Sequence, residues 1–247
     1  KRVGGHECSG VIEALGPGIS TDSKGRKIQV GDRVVYPFFF PCLRCYQCVH
    51  GELHACPNRY HPRFKADTFN DYPYCDGGFA QYWSLPPGHF VFKAPEAIPD
   101  KVLATVNCSL TQVTWAIHQG NMRFGDTVVV QGAGGLGIYA TAIAADAGAS
   151  KVIVIDGQTG RLELAKKCGA TDTIDMREFA TPAERIARVQ ELTAGVGADI
   201  VVEVVGVASA TLEGLDMVRV GGKYIDVGNI SGGSFTLPGN RIIRGQI

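Results

Sequence analysis

The sequence has no excess of charge of either sign, since 24 lysines and arginines are matched by 24 aspartates and glutamates. Such a balance gives no basic field that would attract nucleic acid or an anionic membrane surface. Long hydrophobic runs are also absent, because apolar stretches such as residues 127–130 have only the length of a strand. No internal repeat, low-complexity tract or targeting segment is visible. We therefore expect a cytoplasmic protein with no nucleic-acid or membrane partner.

The 32 glycines and 45% apolar residues are typical of an α/β protein with many tight turns, and the pattern changes near residue 118. Before it, short apolar runs alternate with glycine and proline, which predicts a loop-rich β domain over 1–117. After it, strands alternate with helices, which predicts a parallel sheet over 118–247. The predicted strands are 10–14, 33–40, 79–85, 90–94, 127–131, 151–155, 171–174, 199–204 and 223–227, and the predicted helices are 136–147, 161–168, 182–193 and 209–218.

Four of the eight cysteines lie close together in the sequence: Cys42, Cys45, Cys48 and Cys56. Two, two and seven residues separate them, and such spacing lets four thiolates converge on one tetrahedral zinc ion. Disulfides and incidental thiols are the alternatives, but disulfides are rare in intracellular proteins. We predict a closed structural zinc site.

The segment Gly132-Ala133-Gly134-Gly135-Leu136-Gly137 follows a predicted strand and opens a predicted helix, which is the context of a dinucleotide-binding loop. The first glycine of such a loop permits the tight turn, the second lets backbone approach the pyrophosphate, and the third lets helix and strand pack closely. The helix N-terminus favours the phosphates. We predict that Gly132, Gly134, Gly135, Leu136 and Gly137 bind a dinucleotide.

Asp156 lies nineteen residues after Gly137, at the end of the predicted strand 151–155. A carboxylate there can accept hydrogen bonds from the ribose hydroxyls and repel a 2′-phosphate, which favours NAD over NADP. The alternative is a turn-forming aspartate before Gly157. Four further residues stand just past predicted strands, where open α/β sheets bind ligands, and are candidates for the nicotinamide half unless they form ordinary turns. They are Val205, Gly206, Val227 and Gly228.

In this order, Gly5-His6-Glu7, the cysteine cluster and the glycine loop resemble the zinc-dependent medium-chain alcohol dehydrogenase family over nearly the whole chain. The resemblance implies a β-rich GroES-like catalytic domain followed by a Rossmann doubly wound parallel sheet. It implies a second, catalytic zinc held by His6 and Cys108, with the acidic Glu7 as a ligand or just behind the metal. It also implies that Arg161 lies near the ribose, or is a solvated helix residue, and that Phe38 lines the substrate pocket.

The resemblance further implies an NAD-dependent oxidoreductase that passes hydride between an alcohol and NAD, giving an aldehyde or ketone. Both domains are expected to be truncated: a zinc-binding cysteine and a proton relay would precede Lys1, and the last strand would lie near 241–245. The full-length subunit would hold two zinc ions in a homodimer or homotetramer. Gln112 departs from the threonine that relatives often carry. A polyol or amino-alcohol dehydrogenase, and a non-catalytic nucleotide-binding protein, stay open as alternatives.

Overall fold

The computed structural model describes residues 4–59, 77–85 and 87–228, together with 234, 236, 237 and 239. This part of the chain divides into two compact units between Cys108 and Ser109. The predicted strand near 241–245 lies outside the described residues. No described helix is long and apolar enough to cross a membrane.

The first unit contains a three-stranded antiparallel sheet of β1 (Ser9–Val11), β2 (Arg33–Val35) and β3 (Phe92–Lys93), in the order β1-β2-β3. The strands predicted at 10–14, 33–40 and 90–94 exist but are shorter. The strand predicted at 79–85 is wrong, because this segment is irregular. Its N-terminal end instead makes two backbone bonds, from Gly78 N to Gly5 O and from Phe79 N to Gly4 O.

A polar side chain, rather than a long series of hydrogen bonds between strands, stabilises this part of the sheet. The buried Asp22 carboxylate accepts hydrogen bonds from the backbone N–H groups of Lys24, Arg26 and Lys93 at 2.9–3.0 Å. It also forms an ion pair with the Arg26 guanidinium at 2.6 Å. A charged acceptor holding several backbone donors makes stronger bonds than a neutral one, so Asp22 fixes the turn beside β3.

The helices of the first unit are short. They comprise α1 (Tyr46–Val49), a 3₁₀-helix (Leu53–Ala55) and α2 (Asp100–Leu103), and a π-helical turn (Val106–Leu110) leads into the second unit.

The second unit is a five-stranded parallel sheet with the strand order β6-β5-β4-β7-β8. Numbered within the unit this order is 3-2-1-4-5, so the predicted doubly wound Rossmann topology is confirmed. Its strands are β4 (Thr127–Gln131), β5 (Lys151–Asp156), β6 (Asp172–Asp175), β7 (Ala198–Glu203) and β8 (Val218–Asp226). Its helices are α3 (Thr111–Gln119), α4 (Gly135–Asp146), α5 (Thr159–Lys167), α6 (Pro182–Leu192) and α7 (Ala208–Met217).

The elements predicted after residue 118 lie within two residues of these bounds, except that β8 begins five residues earlier. The strand β8 continues through Gly221 and Gly222, which resemble a turn in the sequence. Gly221 has φ +72° and the pairing with β7 shifts register there. The predicted domain boundary at residue 117 falls within α3 and stays a prediction.

The central strands are buried on both faces of the sheet. Val128 and Val130 belong to the core on one face, whereas Val129 and Ile153 belong to the core on the other, and all four are inaccessible to solvent. Successive strand residues point to opposite faces. Strands covered on both faces therefore need continuous apolar sequence, which is why their positions could be predicted.

A buried ion pair joins α6 to α7. The Arg185 guanidinium donates to the Glu213 carboxylate from Nε at 2.7 Å and from Nη2 at 2.6 Å. Its Nη1 donates to the carbonyl oxygens of Phe179 and Ala180 at 2.9 Å. Both side chains are almost completely buried, so removing either partner leaves an uncompensated charge.

We expect Glu213→Ala to lower the free energy of unfolding by about 3–5 kcal/mol, because it strands the buried guanidinium. Urea unfolding followed by circular dichroism measures this loss. The exposed pair of Arg188 and Glu191 is the control, and Glu191→Ala should cost less than about 1 kcal/mol. Equal losses in the two variants would contradict the prediction.

Candidate functional site

The four clustered cysteines converge around α1 and the following 3₁₀-helix. Their sulfur atoms all lie within 4.8 Å of one another, and those of Cys45 and Cys56 are 3.8 Å apart. Sulfurs bound at about 2.3 Å to one tetrahedral ion lie roughly 3.8 Å apart. All four thiols are free rather than paired as disulfides, so the lobe has the donor set and spacing of a Cys₄ zinc site.

The pKa values of these thiols differ because their surroundings differ. The backbone N–H of Arg44 and the amide of Asn58 lower the pKa of Cys42 to about 6. Burial raises the pKa of Cys48 to about 12, and its neighbouring thiols reinforce that effect. A soft divalent cation is the partner that lets four closely spaced thiols ionise together.

A second pair of potential ligands comes together from distant parts of the sequence. His6 Nε2 lies 3.1 Å from Cys108 Sγ, although 102 residues separate them. Two such ligands on one tetrahedral zinc would be roughly 3.5 Å apart, so the pair fits a shared ion. Burial raises the pKa of the Cys108 thiol, and the charge of Glu7 raises it further. Within the described residues, only the four-cysteine lobe groups three or more potential ligands, so Glu7 does not complete a compact triad.

The loop that presents His6 depends on a glycine. Gly5 has φ +86°, and a Cβ atom there would approach the Phe79 backbone nitrogen to 3.0 Å. Glycine alone adopts this conformation without strain and allows such a close approach. The backbone bonds between 4–5 and 78–79 then fix the start of the loop.

Asn107 aligns the two ligand-bearing segments. Its side-chain amide donates to the His6 carbonyl oxygen at 2.9 Å, and the residue is buried. Because Asn107 precedes Cys108 in the π-helical turn, this single bond fixes both ligands relative to each other. Phe38 packs against the His6 ring with centroids 4.8 Å apart, so the predicted pocket residue lies beside the predicted ligand.

The glycine loop brings α4 directly against the end of β4. Gly132 has φ +97°, and a Cβ atom on Gly137 would lie 1.8 Å from the Gly132 carbonyl oxygen. Cβ atoms on Gly134 and Gly135 would meet nothing within 4 Å, so the space in front of the helix N-terminus is open. The partly buried Leu136 side chain packs against the core. This cradle fits a diphosphate.

Asp156 ends β5 and holds the glycine loop. Its Oδ2 accepts a hydrogen bond from Ala133 N and its Oδ1 accepts one from Gln158 N, both at 2.8 Å. Arg161 Nη1 lies 3.7 Å from Oδ2, and the arginine is half-exposed. A carboxylate offers about four acceptor positions. Asp156 can therefore hold the turn and still have acceptor positions for ribose hydroxyls.

The four predicted strand-end residues surround one side chain, Glu203, at the end of β7. Its Oε1 accepts hydrogen bonds from Val205 N at 2.6 Å and Gly206 N at 2.7 Å. Its main-chain oxygen accepts bonds from Val227 N at 2.9 Å and Gly228 N at 3.0 Å. The structure thus brings these four residues together at one edge of the sheet.

Two polar residues of these sites belong to no motif. Asn107 could have been singled out only because it precedes Cys108. Glu203 has a clearer signal, because it interrupts the otherwise apolar run 200–205. Gln112, which departs from the family pattern, donates from Nε2 to the Val227 carbonyl oxygen at 3.4 Å.

Two family models match most of the chain. Residues 2–96 match the alcohol dehydrogenase GroES-like domain, and residues 135–247 match the zinc-binding dehydrogenase domain. The expected GroES-like domain is thereby confirmed for the first unit.

Curated relatives match at about one residue in three. The chain is 35% identical over 227 residues to 5-exo-hydroxycamphor dehydrogenase of Pseudomonas putida, covering 91% of this chain and 60% of that protein. It is 35% identical over 226 residues to D-xylulose reductase A of Aspergillus oryzae, covering 91% of this chain and 58% of that protein. The chain thus spans about 60% of the length of these relatives.

Solved structures share the fold. An alcohol dehydrogenase from Thermotoga maritima superposes with a TM-score of 0.87 at 34% identity, covering 96% of this chain and 64% of that one. Alcohol dehydrogenase TADH from Thermus sp. ATN1 superposes with a TM-score of 0.80 at 31% identity, covering 99% of this chain and 67% of that one. By its matched domains, its relatives and its fold, the chain belongs to the zinc-dependent medium-chain alcohol dehydrogenase family.

Proposed function

We propose that this chain is part of a zinc- and NAD-dependent alcohol dehydrogenase, which passes hydride between an alcohol and NAD to give an aldehyde or ketone. The observation that carries the proposal is the 3.1 Å separation of His6 Nε2 and Cys108 Sγ. A thiol and an imidazole so far apart in sequence have no structural need to meet, whereas a catalytic zinc takes three protein ligands and keeps one position open.

When bound, zinc would supply Lewis acidity toward the alcohol oxygen, and NAD would supply the hydride acceptor. His6 and Cys108 would hold this catalytic ion, with Glu7 as a ligand or just behind it. Asn107 would keep the His6 loop in place, and Phe38 would present an apolar wall to the substrate. The four-cysteine lobe would hold the second, structural zinc of each full-length subunit.

In the proposed cofactor site, the backbone of Gly132, Gly134, Gly135, Leu136 and Gly137 would hold the diphosphate of NAD. Asp156 would accept the ribose hydroxyls, with Arg161 beside it. The four strand-end residues around Glu203 would contact the nicotinamide half. The open space in front of Gly134 and Gly135 supports this assignment.

A second candidate is a polyol dehydrogenase of the same family. The relatives named D-xylulose reductase favour it, whereas the contact between Phe38 and His6 favours a hydrophobic alcohol. Comparing kcat/KM for a cyclic secondary alcohol and for xylitol separates the two. The proposal also includes a cytoplasmic homodimer or homotetramer, which sedimentation and cell fractionation can test.

We expect Cys42→Ser to lower the zinc content of the purified protein by about one ion per chain and to open its lobe to proteolysis. Structural zinc contributes folding free energy directly, on the order of several kcal/mol. Atomic absorption and limited proteolysis measure both effects. Cys168→Ser removes a free thiol outside the lobe and should change neither. Unchanged zinc content in Cys42→Ser would argue against the Cys₄ site.

We expect Asp156→Asn to narrow the preference for NAD over NADP by about ten- to a hundredfold in Kd, because a charged hydrogen-bonded contact is lost. The asparagine oxygen can still accept from Ala133 N, its amide group cannot accept from Gln158 N, and Arg161 becomes free to meet a 2′-phosphate. Titrations of both nucleotides measure the ratio. Asp172→Asn, at the opposite end of the sheet, is the control. A wild-type protein that prefers NADP would show the assignment of Asp156 to be wrong.

We expect His6→Ala to lower kcat/KM by about a thousandfold or more, because Lewis-acid stabilisation is worth several kcal/mol and each 1.4 kcal/mol is about tenfold. The Kd for NAD should stay nearly unchanged, since its proposed contacts all lie in the second unit. His118→Ala, on α3, is the control. A wild-type protein that binds zinc and NAD but oxidises no alcohol would instead favour the non-catalytic nucleotide-binding alternative.

A further inference from the structure

Glu203 places a carboxyl group at the end of β7, where the sheet otherwise buries apolar side chains. Its solvent exposure is 0%, and Val201 and Val202 before it are equally inaccessible. Burying a carboxyl group is unfavourable unless hydrogen bonds compensate it. Burial and the nearby Asp226 raise its pKa, while the N–H groups of Gly206 and Val205 oppose the shift. The carboxyl group is held here by the N–H groups of Val205 and Gly206, which would lose their acceptor beside an apolar side chain.

The hydrogen bonds of Glu203 reach the loops that follow two neighbouring strands, β7 and β8. The side chain holds Val205 N and Gly206 N after β7, and the main-chain oxygen holds Val227 N and Gly228 N after β8. One residue therefore sets the separation of the two loops at the carboxyl edge of the sheet.

Gly228 shows how closely the two loops approach. A Cβ atom on Gly228 would lie 2.2 Å from Glu203 Oε2 and 2.4 Å from Gly206 N. These atoms are rigidly placed, because Glu203 is buried and Gly206 contributes backbone. The loops can adopt this separation only with glycine at 228, and the Glu203 side chain fixes the loop after β7 within it.

We propose that Glu203 is a positioning residue that holds both strand-end loops in the arrangement that receives the nicotinamide half of NAD. The inference rests on the proposed function, which places NAD at this edge. Because Glu203 is completely buried, it acts through the half-exposed Val205 and the backbone of Gly206 and Gly228 rather than by touching the cofactor.

The test compares NAD with ADP-ribose, which lacks nicotinamide, in calorimetric titrations of the full-length, zinc-loaded protein. We expect Glu203→Leu to weaken NAD binding about ten- to a hundredfold, as expected for two lost charge-assisted bonds. The Kd for ADP-ribose should change less than about threefold. Glu203→Gln keeps an acceptor at Oε1 and should recover most of the NAD affinity. The control Glu213→Gln alters another buried carboxyl group of the same unit and should leave the ratio of the two Kd values unchanged.

Gly228→Ala tests the same separation from the other loop and decides the matter if Glu203→Leu does not fold. This substitution too should weaken the binding of NAD more than the binding of ADP-ribose. Equal weakening of NAD and ADP-ribose, or no weakening of either, would mean that Glu203 is structural only and would overturn the inference. A wild-type protein that binds neither nucleotide would overturn the proposed function itself, and the inference with it.

Discussion

The carboxyl edge of the parallel sheet depends on two buried carboxylates that accept backbone N–H groups. They end the two strands that flank β4: Asp156 ends β5, and Glu203 ends β7. Chain leaving a strand end carries N–H groups that no longer have a sheet partner, and burying them unpaired is costly. A charged acceptor on each neighbouring strand satisfies these donors, and it fixes the loops that follow.

The same constraint explains why the glycine loop keeps its shape. Gly132 N donates to the Ile155 carbonyl oxygen at 2.8 Å, and Ala133 N donates to Asp156 at 2.8 Å. These bonds hold the loop against β5, while the absence of a side chain at Gly137 lets α4 lie against the loop from the other side. The open space in front of α4 is therefore formed by protein contacts alone.

The sequence allowed the second unit to be predicted well because its strands are buried on both faces, so each is a continuous apolar run between turns. The first unit was harder to predict. Its strands are two or three residues long, and β3 is joined to the preceding turn through Asp22, a side chain that no periodicity marks. The segment 79–85 looked like a strand, yet it is irregular, and Phe79 N and the preceding Gly78 N donate to the backbone of residues 4 and 5.

The candidate sites also differ in how far they could be predicted from the sequence. The spacing of the four cysteines and the glycine loop is local, and both could be predicted from neighbouring residues. The meeting of His6 with Cys108 is not local, and only the family resemblance suggested it. Asn107 bonds to the distant His6 carbonyl oxygen, and the main-chain oxygen of Glu203 bonds to the distant Val227 and Gly228. A single sequence does not encode such contacts as a pattern. Polar contacts between distant residues are thus the part of the sites that could not be predicted from the sequence.

The role proposed for Asp156 would couple cofactor choice to the geometry of the glycine loop. The charge that would repel a 2′-phosphate is carried by the same carboxylate that receives Ala133 N and Gln158 N. Deleting the side chain would therefore disturb the diphosphate loop as well as the ribose contact, and a loss of affinity for both nucleotides would result. Neutralising it with asparagine removes the repulsion and keeps one oxygen that can accept from Ala133 N, but the amide group cannot accept from Gln158 N. In the proposed site, selectivity would depend on the charge, whereas the shape of the loop depends on both acceptor oxygens.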